Sequence, residues 1–156
     1  MKSSRIRSLE ALVPLQLISD GLRAKDSSQN QEGLCPVRIS WQGTSISSLE
    51  VIEDQSNRNL KIVLPRLVEP HAHLDKVFTW KEYPNYSGTY EGALQANLEE
   101  HKTRTTEIVY LRAEKALKIC LKNGIRAIRT HVDSVGDSAK GSWEALLNLR
   151  TKWKGL

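Results

Sequence analysis

The chain has 156 residues, with 23 Lys+Arg against 18 Asp+Glu and a formal charge of +5. At 39% hydrophobic and 26% charged it has the composition of a globular protein, and no run of ~18 apolar residues marks a membrane-spanning helix. The length suits about one domain of ~100–200 residues and excludes closure of a complete (β/α)₈ barrel by these residues alone, which takes roughly 200–250.

At the N-terminus, Lys2, Arg5 and Arg7 precede an apolar run over Ala11–Ile18 that Pro14 and Gln16 interrupt. No small-residue cleavage pattern follows, so no secretory signal peptide is expected. Cys35 and Cys120 lie far apart without CxxC spacing, which points to a reducing cytoplasm rather than a disulfide framework. Leu15–Ile18 and Val37–Trp41 read as short strands, the second alternating Val37, Ile39 and Trp41 on one face. Ser45–Ile52 is a weaker strand, and Asp26–Gly33 reads as a solvated loop. Residues 1–64 are therefore expected to form a small β-rich flanking segment.

Ile62, Val63 and Leu64 are apolar in succession, Pro65 breaks the run, and Leu67 and Val68 resume it. Such continuity predicts a strand buried on both faces, as in a parallel sheet. Downstream, Thr89 caps a helix predicted over Tyr90–Lys102. Thr106 is the expected cap of a second helix, whose stripe of Val109, Ala113, Ala116, Leu117, Cys120 and Leu121 reads as core. Cys120 is assigned to packing rather than to a nucleophile. Asn123-Gly124 ends that helix, Ile125–Asp133 follows as a strand, and Ser142–Lys152 as a third helix. This strand–helix alternation predicts βα units of a parallel sheet over residues 65–156. The charged stretches Glu99–Arg104 and Arg112–Lys122 mix both signs and read as solvated helix faces, so neither nucleic acid nor membrane is expected as a partner.

Directly after the apolar strand comes Glu69-Pro70-His71-Ala72-His73-Leu74-Asp75. In an extended chain, side chains at i and i+2 share a face. His71 and His73 thus aim two imidazoles at one point, a geometry that suits a shared zinc or iron ion. By itself His-x-His is more often the mark of two structural histidines bonded to nearby carbonyls; its place after a buried-type strand, with an acid on each side and βα units downstream, favours the metal reading. Asp75 shares the face if the strand continues, where it would orient a ligand, or else it caps a turn. Arg129, His131 and Asp133 share a face of the later strand opposite Ile128, Thr130 and Val132; His131 falls near the metal or serves as a hydrogen-bonded structural histidine. Glu69 is expected to support the strand end, and His101 to be solvated. Trp80, Tyr83 and Tyr86 either wall a pocket for a flat heterocycle or anchor their loop.

Val68–Lys76 resembles the first-strand signature of the amidohydrolase superfamily, in particular its bacterial cytosine deaminase branch. Asn85–Thr89, Glu91-Gly92, Asn123–Ile125 and Arg129–Asp133 resemble, in order, later segments of the same branch. The resemblance implies a partial (β/α) barrel with His71 and His73 as two ligands of iron or zinc, and hydroxide generated at the metal attacking the carbon that bears the exocyclic amine of cytosine or another cyclic amidine. In that family a further His ligand, an Asp ligand, a proton-moving Glu and a second His come from later strands. The expectation is therefore a chain inactive alone: a truncated gene, a split enzyme completed by a second polypeptide or oligomer, a fragment of a longer reading frame, or else a non-catalytic binding and assembly module.

Overall fold

A computed structural model describes residues 5–20, 32–53 and 59–155. The structure divides into two compact units, Met1–Pro65 and Arg66–Leu156.

In the first unit, β1 (Arg7–Pro14), β2 (Leu34–Gln42) and β3 (Ser45–Val51) form an antiparallel sheet in the order β1-β2-β3. Inward residues Val13, Cys35, Val37 and Ile39, with Ile18, make its core. The register sets Glu10 opposite Arg38, and their side chains pair at 2.9 Å. Leu15–Leu17 is a short 3₁₀ turn rather than the expected strand, because the β1 ladder ends at Pro14, which pairs with Leu34. Residues 26–31 of the expected loop lie outside the described residues.

Ile62–Leu64 belong to the first unit. These residues do not open the strand that leads to the histidines. Leu12 N–H donates to Lys61 O at 3.0 Å and Val63 N–H to Leu12 O at 2.8 Å, which ties the segment to β1 within the first unit. Pro65, which has no N–H, separates this bridge from the next strand.

In the second unit, β4 (Leu67–Ala72) pairs in parallel with β5 (Ile125–Thr130). Between them run α1 (Tyr90–His101) and α2 (Thr106–Lys122), and α3 (Ser138–Lys152) follows. Thr89 caps α1 by accepting from Gly92 N–H. The cap of α2 is Thr105, which accepts from Ile108 N–H, not Thr106. Gly124, at φ +83°, closes α2 in a conformation that L side chains resist. β5 ends at Thr130 rather than Asp133, and α3 begins at Ser138, earlier than its apolar pattern shows.

The core is the α2–α3 contact. Val109, Ala113 and Ala116 pack with Ala145, Leu146 and Leu149 over Leu74. Small side chains at this crossing let the helices approach closely; a Cβ on Gly141 would lie 2.7 Å from Thr106 Oγ1. The β4 strand is not buried on both faces: Leu67 and Val68 are 55% and 62% exposed, because only β5 flanks it among the described residues.

Leu149 is fully enclosed in this core. Leu149→Ala should lower the unfolding free energy by about 2–5 kcal/mol, read from the urea midpoint.

Candidate metal centre

The site forms where the C-terminal ends of β4 and β5 are stitched together. His131 N–H donates to Ala72 O at 2.7 Å, and Leu74 N–H donates to Thr130 Oγ1 at 3.1 Å. The ladder is irregular between Glu69 and Ala72, where Pro70 cannot donate. Glu69 bridges the irregularity, its carboxylate accepting from His71 N–H at 3.0 Å.

Three imidazoles gather here. The rings of His71 and His73 have centroids 5.5 Å apart, and His131 stacks on His71 at 3.9 Å with planes 20° apart. His131 thus lies face to face with His71, and its ring centroid is 5.6 Å from that of His73. Arg129, expected on the same face, is exposed. Ile128 and Val132 turn the opposite way, onto the α2–α3 core.

Asp75 does not continue the strand. The chain turns at His73 (φ −117°, ψ 82°) into a 3₁₀ turn over Leu74–Lys76, and the Asp75 side chain is wholly buried. Its Oδ2 accepts from Arg104 at 3.3 Å and from Asp133 N–H at 2.9 Å. Arg104 Nε also donates to Glu100 at 2.8 Å, and Arg104 Nη2 to Asn97 at 3.3 Å. Arg112 Nη1 lies 2.7 Å from Glu100, and Arg112 also donates to the Asp75 main-chain carbonyl. Glu100 and Arg104, read from sequence as part of a solvated face, are 3% and 6% exposed. The Glu100/Arg104 pair at i, i+4 was the one available signal, but such pairs are usually exposed and nothing local marks this one for burial.

Asp133 completes the arrangement. Its Oδ2 accepts from Lys76 at 2.6 Å and Asn97 at 2.8 Å, and its Oδ1 lies 3.2 Å from His73 Nδ1. Burial pushes the Asp133 carboxyl up, but the hydrogen bonds from Lys76 and Asn97 outweigh it and the pKa falls below the ordinary value. For His73, burial and then the Lys76 charge lower the pKa despite the nearby carboxylates. The neutral imidazole, the form that binds metal, is thereby favoured.

His101 is partly buried rather than solvated. Its Nδ1 lies 2.7 Å from Ser138 Oγ, because the end of α1 packs at the start of α3. Tyr83 anchors its loop through a 2.6 Å hydrogen bond with Thr103, whereas Trp80 and Tyr86 meet edge to face and are 60% and 88% exposed. Cys120 lies on α2, half-buried.

Two donor sets could hold a cation. Ligand atoms of His73, Asp75 and Asp133 all lie within 4.8 Å of one another. Yet Lys76 and Arg104 already place positive charge on those carboxylates, which leaves no need for a further cation there. The imidazoles of His71 and His73 are neutral donors whose chemistry fits zinc or iron, with the Lys76 charge beside His73.

No protein-family model matches the chain. A pterin deaminase from Rhizobium rhizogenes is 32% identical over 94 residues, which make up 60% of this chain and 22% of that protein. The 5-methylcytosine deaminase of Klebsiella pneumoniae liganded with 5-fluorocytosine superposes with a TM-score of 0.67 at 20% identity, over 94% of this chain and 33% of that one. Its structure liganded with phosphonocytosine gives 0.65 at 21% identity, with the same coverage. The chain thus spans about a fifth to a third of these proteins.

Removing one member of a buried ion network strands its partners. Arg104→Met should destabilise the fold by about 3–5 kcal/mol in chemical denaturation. Burial pushes the Glu100 carboxyl up, but hydrogen bonds from Arg104 and Arg112 hold it below its ordinary 4.5. Unfolding in acid then takes up protons, so this contribution is complete above pH 4.5 and lost as pH falls through the depressed value. Glu100→Gln should flatten the acid limb of the stability–pH curve; an unaltered limb would show that Glu100 is not held this way.

Proposed function

We propose that this chain, a relative of the amidohydrolase-superfamily deaminases, carries the opening part of a metal-dependent deaminase site and of the (β/α) barrel that houses it. The observation that supports this reading is the proximity of His71 and His73 at the C-terminal end of parallel strand β4, with ring centroids 5.5 Å apart. Parallel α/β folds build their active sites at that end. The chemistry that iron or zinc supplies when bound there is acidification of water to near neutral pH.

The substrate class is a cyclic amidine whose ring carbon bears an exocyclic amine, as in cytosine or a pterin. Hydrolysis breaks that C–N bond, adds the oxygen of water as a ring carbonyl and releases ammonia. Support comes from the pterin deaminase likeness in sequence and the cytosine-type deaminase likeness in fold. The chain's own residues hold the site in form: the β4–β5 stitching fixes the two backbones, the Asp75–Arg104 pair fixes the turn after His73, and Lys76 with Asn97 fixes Asp133. His131 buttresses His71 by stacking.

Catalytic zinc usually takes three protein ligands, and His71 with His73 supplies two. Residues 1–156 by themselves are therefore expected to bind metal without turnover. A second reading, a module for assembly with another polypeptide, is suggested by a groove of about 830 Å³ whose lining combines Leu117, Ile128, Trp143 and Leu147 with Arg126 and Arg150.

Zinc competition titration checks the centre. Loss of a second-sphere partner typically costs ~10–100-fold in affinity, so His71→Ala and His73→Ala should each weaken zinc binding by more than about 100-fold. His101→Ala should leave it unchanged. Zinc binding indifferent to both of the first two substitutions would refute the assignment, and rapid ammonia release from cytosine or pterin by the 156-residue chain would refute its incompleteness.

A further inference from the structure

Two carboxylate oxygens face one ring nitrogen. Asp133 Oδ1 lies 3.2 Å and Asp75 Oδ1 3.8 Å from His73 Nδ1. Both acids are engaged through their other oxygen: Asp133 Oδ2 by Lys76 and Asn97, Asp75 Oδ2 by Arg104 and the Asp133 N–H. His73 Nδ1 and Asp75 Oδ1 are buried, with no aligned hydrogen-bond partner.

We infer that Asp133 is the positioning residue for His73, accepting a proton-bearing Nδ1 and so leaving Nε2 as the nitrogen free to bind a metal. The argument is electrostatic. A lone pair on Nδ1 would face two anionic oxygens, whereas an N–H there meets an acceptor already within hydrogen-bond reach. Asp75 is the weaker acceptor because it sits 0.6 Å farther away (3.8 against 3.2 Å), and the Arg104 guanidinium draws its charge to the other oxygen. The cluster of His73, Asp75 and Asp133 is then a proton-holding arrangement, not a second cation site. Outer partners of metal-binding histidines act in this way generally, fixing tautomer and ring orientation.

This inference rests on the metal reading of His71 and His73, but its first test does not need metal. Nitrogen-15 shifts of His73 in the metal-free protein at pH 7.5 should show Nδ1 protonated in the wild type and in D75N. In D133L the population should move toward protonated Nε2, with zinc affinity falling about 10–100-fold. D133N keeps an acceptor oxygen and should lose less than D133L, a graded response that loss of packing alone does not produce. Protonated Nε2 in the wild type, or an unchanged tautomer in D133L, would overturn the inference. Should D133L fail to fold, the wild-type tautomer decides alone. Unchanged zinc affinity in H71A would fault the metal reading while leaving the tautomer result standing.

Discussion

A carboxylate with no access to water organises the second unit. Asp75 is wholly buried, and an isolated buried carboxylate is too costly to persist without partners. Its satisfaction recruits Arg104 from beyond the end of α1, the main-chain N–H of Asp133 from beyond β5, and Arg112 from α2 onto its own carbonyl. Three chain segments distant in sequence are thereby drawn to the turn that follows His73. Positive and negative groups balance: Arg104, Arg112 and Lys76 face Asp75, Glu100 and Asp133.

Such a network adds little net stability over an apolar core of equal volume. What it provides here is placement. The apolar core of α2 and α3 holds Leu74, the ion network holds Asp75, and His73 stands immediately before both. The histidine is fixed from its C-terminal side by the turn and from the strand side by the β4–β5 stitching. His71, on the strand proper, is held by Glu69 and by the stacked ring of His131. Two imidazoles are set on backbone held from both sides.

Much of this was legible in residues. The alternation Val37, Ile39, Trp41 located β2 and the stripe from Val109 located α2, because each is a local pattern with one physical period, and His71-Ala72-His73 marked the strand end where three imidazoles gather. The misread parts depend on contacts distant in sequence. Ile62–Leu64 looks like a barrel strand, yet hydrogen bonds to Leu12 claim it for the first sheet. Asp75 shares a face with the histidines only in an extended chain, and the chain turns. Glu100 and Arg104 have the spacing of a surface pair and are buried because Asp75 needs them. Asp133, expected beside His131 on a strand, reaches the site although the strand stops at Thr130. Periodicity shows which residues share a face; it does not show which charge another segment will bury.

The central claim is that the cation-binding groups are the two imidazoles, while the carboxylates beside them are already occupied by the protein's own cations. X-ray absorption at the zinc edge, on protein carrying one equivalent of zinc, tests it most directly. The account predicts two imidazole nitrogens at ~2.0–2.1 Å, with imidazole scattering reduced in both H71A and H73A and retained in D75N. A spectrum with one imidazole and carboxylate oxygens, unchanged in H71A, would contradict it and move the ion to His73, Asp75 and Asp133.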